Sequence, residues 1–204
     1  DLMLKCKTGN WFYDNAQRGR ANNSIKLLKT DLTKEEFDNY KESIKQFGEP
    51  GIVLVDDIDF CTNPCAEIGF IPVNPKTGNS CISFCNLNEI NGGVCNTPAK
   101  FYEACRNASI LGTLQASYTN MPFLGVDTEE LINEEALIGV SITGIMDNPK
   151  VLLSPEVLRK GAEIVNQVNE EVAKIIGINP AARTTTVKPS GNASVILGTS
   201  SGIH

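Results

Sequence analysis

The chain has 204 residues, of which 41% are hydrophobic and 21% charged, a composition typical of a globular protein with a real core. Its net charge of −6 provides no basic surface for nucleic acid or an anionic membrane, so any phosphate must be bound locally by backbone amides and a few cations. No apolar run approaches the roughly 20 residues of a membrane-spanning helix, and the first residues lack the basic-then-apolar pattern of a signal peptide, so we expect a cytoplasmic protein.

The first third of the chain predicts a strand–helix–strand unit. Ile25–Leu28 indicates a short strand, and Thr33 with Glu36 has the signature of a helix capping box. Apolar residues at helical spacing then continue to Gly48, a typical helix end. The nearly continuous apolar run 51–56 is typical of a strand buried on both faces of a parallel sheet. This order predicts a crossover unit of an α/β fold.

Farther along the chain, an amide, a thiol and a carboxylate occur within the five residues 63–67. Asn63, Cys65 and Glu67 alternate along a segment that we predict to be extended, so their side chains would lie on one side. A hydrogen-bond donor, a redox-capable sulfur and a base would then surround one point. A single cysteine in a loop is by itself more often a buried residue than a reactive one.

The rest of the chain predicts alternating helices and strands. Residues 74–79 have the Pro, Asn and Gly of a turn, and 81–87 would form the returning strand. Further predicted elements are a helix opened by Thr97 and Pro98, a short acidic helix capped by Asp127 and ending near Ala136, a glycine-punctuated apolar segment at 137–147, a helix from Ser154–Pro155 to about Ile176 ended by Gly177, and a β-branched strand at 183–187.

The last predicted element is a helix start at Asn192–Ser194, directly after Pro189-Ser190-Gly191. A helix N-terminus presents unbonded amides and a partial positive charge, so it can hold phosphate even in an acidic protein. Most strand-to-helix turns of this kind bind nothing. The motif therefore indicates a phosphate site only together with other evidence.

The seven cysteines leave a second interpretation open. Their odd number, in a chain without a secretory signal, favours reduced thiols over a disulfide framework. Cys61 with Cys65 and Cys81 with Cys85 have spacings that a zinc ribbon could use, although neither pair carries the glycine usual in a zinc knuckle. A zinc-ribbon-bearing binding module and a catalytically silent α/β fragment are the alternatives to an enzyme.

Four blocks, in order along the chain, resemble the large catalytic subunit of ribonucleotide reductases. Asn63-Pro64-Cys65-Ala66-Glu67-Ile68 resembles the active-site finger loop, and 84–91 resembles the strand that follows it. The loop that relays effector identity to the substrate base is matched by Gln17, Arg18, Gly19, Arg20, Ala21 and Asn22, which we call the specificity loop. The phosphate-holding loop and helix start are matched by Lys188, Pro189, Ser190, Gly191, Asn192, Ala193 and Ser194, closing with 202–204.

The resemblance implies a role for each motif residue. Cys65 would become a thiyl radical that takes the hydrogen from the ribose 3′ carbon, Glu67 would accept the proton of the 3′ hydroxyl, and Asn63 would hold a sugar oxygen. Cys85 matches one of the two cysteines that supply electrons by forming a disulfide. The partner of Cys85 lies upstream of the matched region, and no motif around Cys6 supports that role for it. Cys61 and Cys81 are weaker candidates for these two roles than Cys65 and Cys85.

The resemblance also implies a fold, a cofactor and partners. The fold would be part of the ten-stranded α/β barrel of the family, with the radical cysteine on a central finger loop, and residues 1–204 would form a single partial domain. The motifs look most like the adenosylcobalamin-dependent class, with the class that uses a separate radical subunit as the alternative. Expected partners are a ribonucleoside di- or triphosphate, a nucleotide effector, a thioredoxin-type dithiol reductant and the remaining parts of the reductase. We expect the chain to be a fragment, inactive alone.

Overall fold

The computed structural model describes residues 2–21 and 23–202. Asn22 of the specificity loop, and Ile203 and His204 at the end of the fourth block, lie outside the described residues. The chain divides into two compact units, an N-terminal unit that ends at Ile71 and a C-terminal unit that begins at Pro72. The expectation that residues 1–204 form a single domain stays a prediction.

The N-terminal unit is built around a short parallel sheet. Its elements are α1 (Leu2–Lys5), α2 (Trp11–Asp14), a 3₁₀ turn (Ala16–Arg20), β1 (Ser24–Leu28), α3 (Lys34–Phe47), β2 (Gly51–Val55), β3 (Cys61–Thr62) and β4 (Gly69–Phe70). β1 pairs with β2 in parallel, and β3 pairs with β4 antiparallel. The predicted strand–helix–strand unit is therefore confirmed.

The ends of α3 follow the local sequence signals. The Thr33 hydroxyl accepts the Glu36 amide, and the Glu36 carboxylate accepts the Thr33 amide, which completes the predicted capping box. These bonds from Thr33 lower the pKa of Glu36, since they favour its charged form. At the other end Gly48 adopts a left-handed conformation with φ of 71° and its amide bonds to the Ile44 carbonyl.

The C-terminal unit consists of a parallel strand pair covered on one face by helices. Its elements are β5 (Asn86–Asn91), a 3₁₀ turn (Gly92–Val94), α4 (Pro98–Ala116), a 3₁₀ turn (Pro122–Leu124), α5 (Val126–Glu135), β6 (Ile138–Thr143), a 3₁₀ turn (Ile145–Asp147), α6 (Pro149–Leu152), α7 (Pro155–Ile176) and α8 (Asn192–Leu197). β5 and β6 pair in parallel from Asn86 opposite Ile138 to Asn91 opposite Thr143. The α/β class is thus confirmed.

Residues 183–187 run parallel to β6 but do not form the complete strand that their β-branched sequence predicts. Val140 and Thr185 form an isolated bridge, and the Val140 amide and carbonyl bond to Thr184 and Thr186. The pairing stops at Lys188, whose amide donates instead to the Ser141 hydroxyl at 2.9 Å. A side chain of β6 therefore ends the pairing.

The core of the C-terminal unit lies between the strand pair and helices α4 and α7. The buried members are Ile90, Cys95, Phe101, Cys105, Ala108, Ala116, Ile138, Val140, Leu152 and Val165. α7 begins and ends as predicted, because Ser154 caps its first turn and Gly177 adopts a left-handed conformation after its last residue. Burial of this apolar surface holds the two helices on one face of the strands.

Two local predictions in this unit are wrong. Residues 81–85 lie outside any strand, because the Cys81 amide bonds to the Pro72 carbonyl and the Ile82 amide to the Thr128 hydroxyl. Asp127 lies inside the first turn of α5 and does not cap it.

The carboxylate of Asp127 instead holds the predicted turn at 74–79. It accepts hydrogen bonds from Thr77 at 2.6 Å, from Asn79 at 2.9 Å and from the buried Asn74 at 2.8 Å. The bonds from Thr77 and Asn79 lower the pKa of Asp127, because they stabilise its charged form. The turn itself is confirmed by the bond from the Gly78 amide to the Asn74 carbonyl.

A buried amide joins α4 and α7 and generates a stability prediction. Asn169, 2% exposed, donates to the Thr113 hydroxyl and accepts the Ala181 amide, each at 2.8 Å. Asn169→Ala is expected to lower the free energy of unfolding by about 2 kcal/mol, because it leaves the Ala181 amide without its acceptor. Urea denaturation monitored by circular dichroism measures this change.

The matched control lies on the exposed side of the same helix. Gln167→Ala removes only an exposed bond to Glu171 and should change the free energy of unfolding by less than about 0.5 kcal/mol. Equal urea midpoints for the two variants would contradict the structural role assigned to Asn169.

Candidate functional site

The loop that carries Cys65 is a tight hairpin connection between β3 and β4. The Asn63 amide donates to the Ile68 carbonyl at 3.2 Å, and the Ile68 amide donates to Asn63 Oδ1 at 3.0 Å. Inside this pair the Ala66 amide donates to the Asn63 carbonyl, and Ala66 has a φ of 62°. The prediction of an extended segment at 63–67 is therefore wrong, because a left-handed residue turns the chain between Cys65 and Glu67.

The hairpin still brings the three predicted side chains together on one short loop. Cys65 is exposed, whereas Glu67 and Asn63 are half-buried. Asn63 uses its amide oxygen to close the loop, and its amide nitrogen makes no hydrogen bond among the described residues. The loop can thus offer a thiol, a carboxylate and a hydrogen-bond donor to one ligand.

A cavity of about 260 Å³ connects this loop to the parallel sheet of the N-terminal unit. Its lining consists of Ser24, Lys26, Val53, Cys61, Thr62, Asn63 and Pro64. Ser24 is the first residue of β1 and directly follows the specificity loop and Asn23. The structure therefore places the start of β1 and the first half of the cysteine loop around one space.

The specificity loop is exposed but attached to the chain segment that precedes it. Arg18 donates to the Cys6 carbonyl at 2.6 Å, and Lys7 donates to the Ala21 carbonyl at 2.7 Å. Gln17 makes only a local 3.3 Å bond to Asn15, and the Arg20 side chain forms no hydrogen bond or ion pair with any described residue. Arg20 and Gln17 are therefore the long polar side chains that this loop presents to a ligand.

Cys85 lies in the C-terminal unit, immediately before β5. It faces Gly139 of β6, where an added Cβ would lie 3.1 Å from Cys85 Sγ and 2.5 Å from Leu87 Cδ2. The glycine predicted to allow close packing thus provides the space for the Cys85 thiol. Because side chains alternate along a strand, Cys85, Leu87 and Glu89 share the face opposite to the helices.

The predicted phosphate loop follows the carboxyl end of 183–187. Ser190 and Gly191 have φ values of 70° and 49°, and the short helix α8 begins at Asn192. The Ala193 amide is used inside the turn, where it bonds to the Ser190 carbonyl, and the Ser194 hydroxyl donates to the Gly191 carbonyl. Gly191 and Asn192 are exposed, so they form the accessible part of the loop.

The base of the phosphate loop is tightly packed. Gly202 packs against this loop so closely that an added Cβ would fall 2.1 Å from the Lys188 carbonyl oxygen and 2.8 Å from Ser190 Oγ. The Lys188 ammonium lies 3.0 Å from Glu89 Oε1, and the Glu89 side chain is only 7% exposed. Sequence reasoning missed Glu89 as a partner of this loop, although a charged residue inside a strand next to Ile90 was a visible signal.

The remaining cysteines have different environments. Burial raises the pKa of the Cys105 thiol to about 12, and burial also raises the pKa of Cys95. The pKa of Cys81 is raised first by burial and then by the Asp127 carboxylate. Within residues 2–21 and 23–202, no three His, Cys, Asp or Glu side chains are grouped so that they could hold a metal ion.

The same described residues include no helix that combines the length and the apolar character needed to cross a membrane.

The cysteine environments predict an order of alkylation. At pH 8 a thiol with a pKa of about 12 is ionised to a fraction of about 10⁻⁴, and the thiolate is the reactive form. Iodoacetamide is therefore expected to modify the exposed Cys65 first and Cys105 last, as measured by peptide mass spectrometry over time. In urea the two should react at similar rates; rapid modification of Cys105 in the folded chain would contradict its burial.

The contact between Gly139 and Cys85 predicts a steric effect. Gly139→Ala should lower the free energy of unfolding by roughly 1 to 2 kcal/mol, because the new methyl group overlaps Leu87 and crowds Cys85. The measurement is again urea denaturation. In a Leu87→Ala background the same change should cost at least about 0.5 kcal/mol less, since the nearest clashing atom is gone; an equal cost in both backgrounds would refute the contact.

The comparisons with known proteins agree on one group of enzymes. The adenosylcobalamin-dependent ribonucleoside-triphosphate reductase of Lactobacillus acidophilus is 27% identical over an alignment that covers 92% of this chain and 29% of that protein. The enzyme of the same name from Euglena gracilis is 22% identical and covers 90% of this chain and 26% of its own length. No family model matches the chain.

A solved structure shows the same fold. The crystal structure of a B12-dependent, class II ribonucleotide reductase superposes with a TM-score of 0.59 at 22% identity, covering 95% of this chain and 32% of that one. The chain thus spans less than a third of the length of the relatives it matches. The resemblance predicted from the four motif blocks is confirmed, since over most of its length the chain is similar in sequence to adenosylcobalamin-dependent ribonucleoside-triphosphate reductases.

Proposed function

We propose that this chain is the part of a ribonucleotide reductase catalytic subunit that carries the thiyl-radical chemistry, which supplies deoxynucleotides for DNA synthesis. The observation that carries the proposal is the 63–68 hairpin, which offers a thiol, a carboxylate and an amide donor, and whose first residues line a cavity together with Ser24 and Lys26 of β1. The names of the relatives support ribonucleoside triphosphates as the substrates.

The first half of the proposed reaction uses the cysteine loop. A thiyl radical on Cys65 takes the hydrogen atom from the ribose 3′ carbon, which leaves a thiol on Cys65 and a radical on the sugar. Glu67 accepts the proton of the 3′ hydroxyl, as a general base within hydrogen-bond distance. Cys65 fits this role because it is exposed at the tip of the loop.

Asn63 would bind a sugar oxygen through its amide nitrogen. Its oxygen already accepts the Ile68 amide, so the side chain cannot rotate without breaking the hairpin. A donor held in this way loses little conformational entropy when it binds substrate, which favours orientation of the ribose.

The second half of the proposed reaction consumes a pair of thiols. Cys85 and its partner cysteine form a disulfide and so release two electrons and two protons. One proton joins the 2′ hydroxyl, which leaves as water, and the other proton with both electrons supplies the hydrogen that replaces it on the 2′ carbon, while Glu67 returns its proton to the 3′ oxygen. The hydrogen atom on Cys65 then returns to the 3′ carbon, which restores the thiyl radical. An external dithiol of the thioredoxin type reduces the disulfide, so each turnover converts one ribonucleotide and one dithiol into a deoxyribonucleotide, water and a disulfide.

The substrate phosphates would lie at residues 188–194. The accessible elements there are the exposed Gly191 and Asn192 and the positive end of α8. Glu89 balances the charge of Lys188, so phosphate would be held mainly by backbone amides and hydroxyls. This agrees with the acidic net charge of the chain.

Adenosylcobalamin would supply the radical that Cys65 receives. The cavities found inside each unit measure about 260 to 490 Å³, at the low end for a drug-sized ligand, and a corrin with its nucleoside is larger than such a ligand. We therefore assign none of the residues that line these cavities to the cofactor. The names of the relatives alone support adenosylcobalamin as the cofactor.

The larger assembly is also part of the proposal. The two parallel strand pairs would belong to the ten-stranded barrel of the family, with the cysteine loop as its central finger, and the remaining parts of the reductase would complete it. A nucleotide effector would act through the specificity loop. We place the reaction in the cytoplasm, where thiols stay reduced.

The central prediction concerns Cys65. In a reductase completed with the flanking parts of a cobalamin-type barrel, Cys65→Ser should lower ribonucleotide reduction by at least about 10³-fold, because serine forms no comparable radical. Deoxynucleotide formation is measured with dithiothreitol and adenosylcobalamin. Cys95→Ala, at a buried cysteine outside the proposed site, should keep most of the activity.

The outcomes separate the mechanism from the class. Activity that needs both Cys65 and adenosylcobalamin supports the whole proposal. Activity that needs Cys65 and a metal-radical subunit supports the mechanism and replaces the class. Full activity of Cys65→Ser would refute the thiyl role.

A further inference from the structure

Glu49, at the end of the α3–β2 connection, links three segments of the N-terminal unit. Its Oε1 lies 2.6 Å from Lys7 Nζ, and its Oε2 accepts a hydrogen bond from the side-chain Nδ2 of Asn23 at 2.9 Å. Its main-chain carbonyl also accepts the Ser43 hydroxyl of α3 at 3.0 Å. Both oxygens of one carboxylate are thus used to hold residues on either side of the specificity loop in sequence.

The same contacts extend into the specificity loop. Lys7 uses a second proton to bond the Ala21 carbonyl at 2.7 Å, so the ammonium bridges Glu49 and the end of the loop. Asn23, which follows the loop, is fixed by Glu49 directly. The Lys7 ammonium also lies 5.6 Å from the centre of the Trp11 ring, which adds a cation–π contact on the other side of the loop.

Burial makes this pair more than an ordinary surface ion pair. The side chains of Lys7 and Glu49 are 11% and 21% exposed. Exposed pairs contribute little because water screens them, whereas removal of one partner from a largely buried pair leaves a charge without its counterion. Loss of the Glu49 charge should therefore release Lys7, and with it the Ala21 carbonyl.

We infer that Glu49 is a positioning residue that sets the conformation of the specificity loop through Lys7 and Asn23. The link between Glu49 and substrate specificity rests on the proposed function, whereas the effect of Glu49 on the conformation of the loop does not. With Arg18 held by the Cys6 carbonyl and Ala21 by Lys7, Gln17 and Arg20 remain to contact a ligand. Glu49 then acts on base selection without touching the substrate.

The structural part is tested on the chain itself by amide hydrogen exchange and mass spectrometry. Glu49→Gln and Lys7→Met should each raise exchange in peptides covering residues 16–23 by roughly tenfold, while exchange in α3 stays unchanged. Glu49→Asp keeps the charge and should restore at least part of the protection. The matched control is Glu42→Gln, an exposed glutamate of α3, which should leave the loop at the wild-type rate.

Unchanged exchange at 16–23 in Glu49→Gln would overturn the inference. Faster exchange throughout the N-terminal unit would do the same, because it would indicate general destabilisation.

The functional part is tested in the completed reductase. The ratio of kcat/KM for a purine and a pyrimidine ribonucleotide should shift roughly fivefold in Glu49→Gln, with kcat for the preferred substrate nearly unchanged. An unchanged ratio in an active enzyme would overturn the link to specificity. An inactive wild-type assembly would instead count against the proposed function, and hydrogen exchange would still decide whether Glu49 holds the loop.

Discussion

The parallel pairing of β5 with β6 divides the C-terminal unit into an apolar and a polar half. Helices α4 and α7 bury one face of the pair, which supplies the hydrophobic stabilisation of the unit. The opposite face carries Cys85, Glu89 and Ser141, and its carboxyl end leads into the phosphate loop. Because the apolar face supplies most of the stability, residues of the other face are less constrained by packing. Gly139 on that face leaves space for the Cys85 thiol.

The N-terminal unit holds two exposed loops, the cysteine loop and the specificity loop, on a small core. Val55, Ile68 and Phe70 are among its few well-buried apolar residues. The loops are therefore ordered by polar contacts, with Asn63 closing the cysteine loop and the Lys7–Glu49 pair attached to the specificity loop. Such contacts are directional, so they determine loop conformation more sharply than apolar burial would, while contributing less to overall stability.

Local sequence signals predicted the fold wherever the partners are close in sequence. The capping box of α3 and both ends of α7 follow from residues within one helical turn of each boundary. The errors come from contacts that no local pattern contains. Asp127 resembles a helix cap, but its hydrogen-bond donor Thr77 lies 50 residues away, and the Lys7–Glu49 pair spans 42 residues. The left-handed φ of Ala66 is likewise invisible in the sequence, since alanine rarely adopts it. The geometry of the cysteine loop could not be predicted from its residues, whereas the chemistry assigned to them stays a prediction.

The two ends of the Asn63 side chain place separate chemical demands on this position. An aspartate would accept the Ile68 amide equally well and keep the hairpin, yet it would offer no donor to a ligand and would place a second negative charge beside Glu67. A serine or threonine is too short to span the loop in the same way, and a glutamine would displace the amide by one methylene. A primary amide of this length can accept from the loop and donate outward at the same time, so a substitution that removes it would change the shape of the loop and its outward hydrogen-bond donor together.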